Sequence, residues 1–200
     1  RGRHPHALYW HDAPVHVIGL DLSEADVMAT LKSFADLPPP DDSPLRIGTL
    51  AAGEPVVLGE GLSVTPFLVP HRQEYSEVVG YRIDGPSRSV LFIPDIDSWE
   101  EWDAMGTRIE DMLARVDIAY LDGTFFADGE IPGRDMSGFP HPFITHSMER
   151  FASLPETARA KVRFLHLNHT NPALQTDGYA QRRIQRAGMR VAQEGEAEGL

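Results

Sequence analysis

The sequence predicts a layered α/β fold, and three observations carry that prediction. Short β-like runs come close together in the first half, apolar strands alternate with amphipathic helices in the second, and polar residues gather where strands end. Two hundred residues suit a single domain, 1–200, with a real core. An apolar fraction of 42% and a charged fraction of 24% place the chain among ordinary globular proteins.

In chain order, "PVHVIG" (14–19) reads as a strand. "SEADVMATLKSFADL" reads as a helix, with Ser23 as N-cap and Asp26 at capping-box spacing. "LPPPDDSP" breaks the chain. "EPVVL", "LSVTPFLV", "VVGYRID" and "RSVLFIP" are strands, and "GPS" between the last two predicts that Val78 to Asp84 and Arg88 to Ile93 pair as a hairpin. "SWEEWDAMGTRIEDMLARV" reads as one amphipathic helix, with Trp99, Trp102, Met105, Ile109, Met112 and Leu113 near helical spacing. "VDIAYLDG" is a buried strand, "THSMERFASL" a short helix with Thr145 as cap, and "KVRFLHL" a strand. "DGYAQRRIQRAG" is a helix that Gly188 ends, and "MRVAQEG" is a last strand.

The formal net charge of −12 repels phosphate backbones, so nucleic acid is an unfavourable partner. The chain has no cysteine, which excludes disulfides and thiolate metal sites and fits a reducing, cytoplasmic compartment. No run reaches the ~18 apolar residues of a membrane-spanning helix. The chain opens "RGRHPHALYW" without a methionine, as the interior of a longer protein would.

Four segments share one design. His71 follows the strand in "FLVPHR", and Asp95 and Asp97 follow the one in "LFIPDID". Asp122 ends "IAYLD", while His166, Asn168 and His169 end "RFLHLNH". Functional groups collect at strand ends because the sheet is rigid there and the loop is free to carry chemistry. Imidazoles and carboxylates together are the usual ligands of a divalent metal in a cysteine-free site. Each segment also has a plain structural reading. His71 can sit in a turn, Asp97 can cap the helix that begins beside it, Asp122 can close an Asx turn, and the asparagines of "NHTNP" can satisfy loop backbone. Four together at four strand ends favour the functional reading. His141 lies between two prolines, where it can shuttle protons or face solvent; His146, in the first turn of the next helix, reads as a surface residue. "HPHALYWHD" contains an H-x-H pair but reads as a solvated terminus.

Taken together, "VPHRQEYSEVVGYRI", "LFIPDID", "LDGTFF" and "HLNHTNP" resemble the metallo-β-lactamase-fold superfamily, and within it the coenzyme PQQ synthesis protein B group. The resemblance covers roughly residues 45 to 200. It implies an αββα sandwich with one or two divalent ions at one edge, zinc first, with iron or manganese as alternatives. It implies His71, Asp95 and His166 as metal ligands, Asp122 and Asn168 behind them, and His141 in the loop where tRNase Z-like relatives keep a catalytic histidine. His169 is then a proton donor or a support to the ligands. The H-x-H-x-D-H ligand loop of the superfamily is absent from this sequence, so the expectation is an incomplete sandwich lacking its N-terminal portion, with weak or absent metal binding by the chain alone.

The resulting functional expectation is a metal-dependent hydrolase-type enzyme acting on a small-molecule or peptide-derived substrate, with an oxidative iron-dependent role in the PQQ pathway as a variant. The alternatives are a non-catalytic carrier with a vestigial metal site and a tRNase Z-like phosphodiesterase, which the acidic charge weighs against. An apolar sheet face left uncovered by an incomplete sandwich favours a homo-oligomer.

Overall fold

A computed structural model describes residues 16–17, 46–47, 51–72 and 77–200. The chain divides into two compact units, Arg1–Leu50 and Ala51–Leu200. In the first, β1 (His16–Val17) pairs in parallel with β2 (Arg46–Ile47). The helix expected over 23–37 and the "HPHALYWHD" segment lie outside the described residues.

The second unit is built on a seven-stranded sheet whose order follows the chain: β3 (Val56–Gly59), β4 (Leu62–Leu68), β5 (Val79–Asp84), β6 (Ser89–Ile93), β7 (Ile118–Asp122), β8 (Val162–Leu165) and β9 (Arg190–Val191). Pairing is antiparallel from β3 to β6 and parallel from β6 to β9. Connection length explains the change. The predicted β5–β6 hairpin forms with Asp84 opposite Ser89, whereas each later strand is reached through a helical crossover.

Five α-helices lie in these crossovers among the described residues. They are α1 (Trp99–Ala104), α2 (Ile109–Leu113), α3 (Ile144–Phe151), α4 (Glu156–Arg159) and α5 (Tyr179–Arg186). Leu91, Ala119 and Val162 form one cross-strand row and Ile93, Leu121 and Phe164 the next. All six are buried, packed with Trp99, Trp102, Ile109, Leu113, Ile144, Phe151 and Ile184. The helix α5 ends before Gly188, whose φ of 81° is the left-handed conformation expected of a terminating glycine.

Three local expectations are corrected. The single helix expected from Ser98 onward is two, because Gly106 takes φ 89° and its N–H closes back on Asp103 O. The apolar period hid the break, since Trp99, Trp102, Ile109 and Leu113 reach one core from both sides of it, while Met105 beside the glycine is half exposed. Ser98, not Asp97, caps α1, its Oγ accepting the N–H groups of Glu100 and Glu101, both at 3.1 Å. Thr145 does not cap α3. That helix is positioned by its backbone, with Ile144 and Thr145 N–H donating to the carbonyls of Phe125 and Phe126 at 2.9 and 3.0 Å.

Arg150 on α3 fastens the helical layer. Its Nε donates to Glu110 Oε1 at 2.7 Å, and its Nη2 donates to Glu110 Oε2 at 3.0 Å and to Asp103 Oδ1 at 2.8 Å. The Arg150 hydrogen bond holds the Glu110 carboxyl below its ordinary value. Its folded value lies under its unfolded one, so the stability it contributes is present above the unfolded value and is lost as pH falls through the folded one. Arg150→Ala should destabilise the fold by about 1–3 kcal/mol at neutral pH, because a half-buried carboxylate loses its partner. The deficit should shrink as acid protonates Glu110. Urea unfolding of both proteins from pH 7 down to about pH 3 checks this, and a pH-independent deficit would contradict it.

Candidate metal centre

The centre is organised by Asp122, the last residue of β7, whose side chain is completely buried. A buried carboxylate is tolerated only when its acceptor positions are filled. Here Oδ1 accepts the N–H and hydroxyl of Thr124 at 2.8 and 2.7 Å, and Oδ2 accepts the N–H of Ile96 at 3.1 Å and the Nδ1–H of His141 at 2.9 Å. The Thr124 N–H bond is the Asx turn expected of Asp-Gly-Thr. Gly123 lets the loop close on β8: a Cβ there would stand 2.9 Å from Phe164 Cβ and 3.0 Å from Leu165 O.

The Asp122 bond brings His141 out of its proline-flanked loop and into the site. Burial, the largest single influence, disfavours the charged imidazole. The Asp122 hydrogen bond and the charges of Asp122, Asp95 and Asp97 together outweigh it, so His141 holds its proton above the usual histidine value. With Nδ1–H committed to Asp122, Nε2 is the nitrogen left for proton transfer.

Asp95 and Asp97 stand on the segment after β6. Asp97 N–H donates to Pro70 O at 2.9 Å, which brings His71 alongside. His71 Nε2 lies 3.1 Å from Asp95 Oδ2 and 3.8 Å from Asp97 Oδ1. His141 Nδ1 is 3.5 Å from Asp95 Oδ1. Asp95 Oδ1 and Asp97 Oδ1 are both buried without a hydrogen-bond partner among the described residues. Carboxylate oxygens in that condition call for a cation or a donor to be brought to them.

His166 falls within the strand expected over "KVRFLHL" but lies beyond its observed end. The strand β8 ends at Leu165, and His166 takes φ 63°, so the two-residue alternation that buries Val162 and Phe164 stops short of it and leaves it exposed. A non-glycine residue at positive φ is uncommon and is maintained by its surroundings. Here Thr124 Oγ1 lies 2.9 Å from His166 Nδ1. The Thr124 hydroxyl proton goes to Asp122, so the same oxygen accepts from His166 Nδ1–H, and the free lone pair of His166 sits on Nε2. Thr124 thus sets the tautomer a metal ligand needs.

Asp95, Asp122 and His166 each present a ligand atom within 4.8 Å of the others. Proximity alone would make Asp122 a ligand, but four donors already occupy its oxygens. The atoms with free lone pairs are on Asp95 and His166, with His71 beside Asp95, and Asp122 is better placed to orient them. This oxygen-and-imidazole set fits a divalent ion such as zinc, iron or manganese. Beside it opens a cleft of about 340 Å³ whose lining includes Asp97, Met136, Phe139, His141, Phe143 and Arg150.

The structure therefore brings His71, Asp95, Asp122, His141 and His166 together. Asn168 is tied to the site through backbone, its N–H donating to Thr124 O at 2.9 Å. His169 is exposed on the same loop. His146 is exposed on α3, its ring 5.0 Å from that of Phe143. Thr124 was not singled out from sequence. Its only signal was its place two residues after a strand-end aspartate.

Comparison with known proteins agrees with this architecture. The family described as the beta-lactamase superfamily domain matches residues 16–169, and the chain belongs to that family. It is 30% identical over 149 residues to coenzyme PQQ synthesis protein B of Gluconobacter oxydans, covering 68% of this chain and 47% of the relative. It is 28% identical over 173 residues to the protein of the same name from Methylobacterium nodulans, covering 76% and 54%. The chain thus spans about half the length of the curated relatives it matches. The crystal structure of Zn(2+)-bound PqqB from Methylobacterium extorquens superposes with a TM-score of 0.65 at 22% identity, over 94% of this chain and 63% of that one, which shows a shared fold.

If Thr124 sets the His166 tautomer, Thr124→Val should weaken zinc binding about 10–100-fold with the fold retained. Competition against a chromophoric chelator, with circular dichroism as control, measures this. Unchanged affinity would remove Thr124 from the metal's support.

Proposed function

We propose that this chain carries a metal-dependent hydrolytic centre and serves coenzyme PQQ biosynthesis, acting on a small-molecule or peptide-derived substrate. The observation that carries the reading is the convergence of Asp95, Asp122 and His166 within 4.8 Å, with one Asp95 oxygen buried and without a hydrogen-bond partner among the described residues. The similarity to coenzyme PQQ synthesis protein B supports the pathway.

Asp95, His166 and His71 would hold the metal. When bound, a divalent ion supplies Lewis-acid polarisation of a substrate carbonyl and activation of water. The remaining roles fall to the chain's own groups. Asp122 aligns His141 and, through Thr124, His166. His141, held protonated above the usual histidine value, is suited to give a proton from Nε2 to a departing group. His169, exposed on the neighbouring loop, is a second candidate for proton transfer.

The phosphodiesterase reading fares worse. Asp95, Asp97 and Asp122 stand together in a chain of net charge −12, and Arg150, in the adjoining cleft, is already paired with Glu110 and Asp103.

Metal content and turnover of two variants test the assignment. His166→Ala should remove metal and nearly all activity. His169→Ala should keep the metal and lower turnover by ~10²–10⁴-fold if it transfers protons, or lower affinity more modestly if it only supports the ligands. Loss of metal from His169→Ala with retention in His166→Ala would exchange their roles. Zinc bound without turnover of esters, lactones or peptides would favour a carrier, and faster hydrolysis of phosphodiesters would favour the competing enzyme class.

A further inference from the structure

We propose that Glu130 is a positioning residue of this centre, acting on the loop that carries His169; the proposal rests on the reading of the site as a metal centre. Glu130 lies outside the polar groups that surround Asp122, in the excursion between β7 and α3. Its carboxylate joins two loops. Oε2 accepts the N–H of Phe126 at 2.6 Å, in the loop after β7, and Oε1 accepts the hydroxyl of Thr170, in the loop after β8. Thr170 Oγ1 in turn accepts from Asn168 Nδ2 at 2.7 Å.

The donors and acceptors form a chain with one direction. The Asn168 amide donates to Thr170, whose single hydroxyl proton goes to Glu130, and Glu130 also accepts from the Phe126 backbone. No alternative polarity is available, because an ionised carboxylate only accepts and an amide NH₂ only donates. His169 is the residue between the two thus held. Asn168 is pinned a second time through its own N–H to Thr124 O at 2.9 Å. Asn171, on the far side, is buried and donates from Nδ2 to Gly123 O and Thr124 O at 2.8 and 3.2 Å.

His169 is thus an exposed imidazole on a peptide whose neighbours on both sides are hydrogen-bonded to the loop that carries Asp122 and Thr124. An ordinary surface loop needs no such lacing. Among these ties, Glu130 supplies the one built from side chains on both loops, and it is the one a substitution can remove without touching the Asp122 cluster.

Glu130→Ala should lower cobalt(II) and zinc affinity about 10-fold, as loss of supporting partners does, and should alter the cobalt(II) absorption bands that report ligand geometry. Glu130→Gln should be intermediate, since its carbonyl oxygen can still accept from Phe126 while its NH₂ faces Thr170. In the metal-free 200-residue chain, Glu130→Ala should speed amide exchange at Phe126 and Asn168 and shift the His169 imidazole signals in ¹H–¹⁵N spectra. A lowered melting temperature with the affinity, the cobalt bands and the His169 signals all unmoved would make Glu130 structural only and overturn the proposal. Failure of the wild-type chain to take up either metal would count against the metal centre itself. Glu130 would then stand or fall on the metal-free spectra alone, with unmoved His169 signals overturning it.

Discussion

The site depends on one buried carboxylate. Asp122 ends an inner strand of the parallel half-sheet with no exposure to solvent, so its charge must be met by donors from the protein. Those donors come from three separate stretches: Ile96 after β6, Thr124 in its own loop, and His141 nearly twenty positions on. Each bond needed to keep Asp122 inside also fixes a neighbour. Ile96 fixes the turn that carries Asp95 and Asp97, His141 is oriented through Nδ1, and Thr124 passes the order on to His166. The arrangement around the candidate metal ligands is thus a by-product of satisfying one carboxylate.

Topology explains why the candidate ligands meet at all. The strands β6, β7 and β8 are mutually parallel, so the residues after them emerge at one edge of the sheet. The strand β4 is antiparallel to β5, which is antiparallel to β6, so β4 runs in the β6 direction and delivers His71 to that same edge. Residues far apart in sequence converge because the strands before them point the same way. The antiparallel start of the sheet is therefore no obstacle to a shared site, provided an even number of reversals separates the contributing strands.

How far this was legible in sequence follows from the range of each interaction. An apolar run that ends in a polar residue is a local signal, and it exposed His71, Asp95, Asp122 and His166 together. His141 was visible through its proline-flanked loop, although not its bond to Asp122. The helix break at Gly106 was hidden because the apolar spacing continues across it. The left-handed turn at His166 was hidden because a histidine at positive φ is held by a distant hydroxyl, and nothing beside it in the sequence announces Thr124. Arg150 and Glu130 were invisible for the same reason. Their partners lie across crossover connections, and a charged residue in a helix or loop looks the same in sequence whether it is solvated or paired.

The plain and the functional readings of these residues turn out not to compete. Asp122 closes the Asx turn that Asp-Gly-Thr announces, and the same oxygen, through the hydroxyl it accepts, sets which nitrogen of His166 is free. Asn171 satisfies loop carbonyls as a structural asparagine would, and those carbonyls belong to the loop that carries Thr124. A carboxylate or amide that completes its own turn is rigid because of it, and rigidity is what a ligand or proton donor requires of its supports. The residues that differ are Asp95 and Asp97, each with a buried oxygen that has no hydrogen-bond partner among the described residues. Structural need accounts for every bond that Asp122 makes. It does not account for those two oxygens, which call for a cation or a donor to be brought to them.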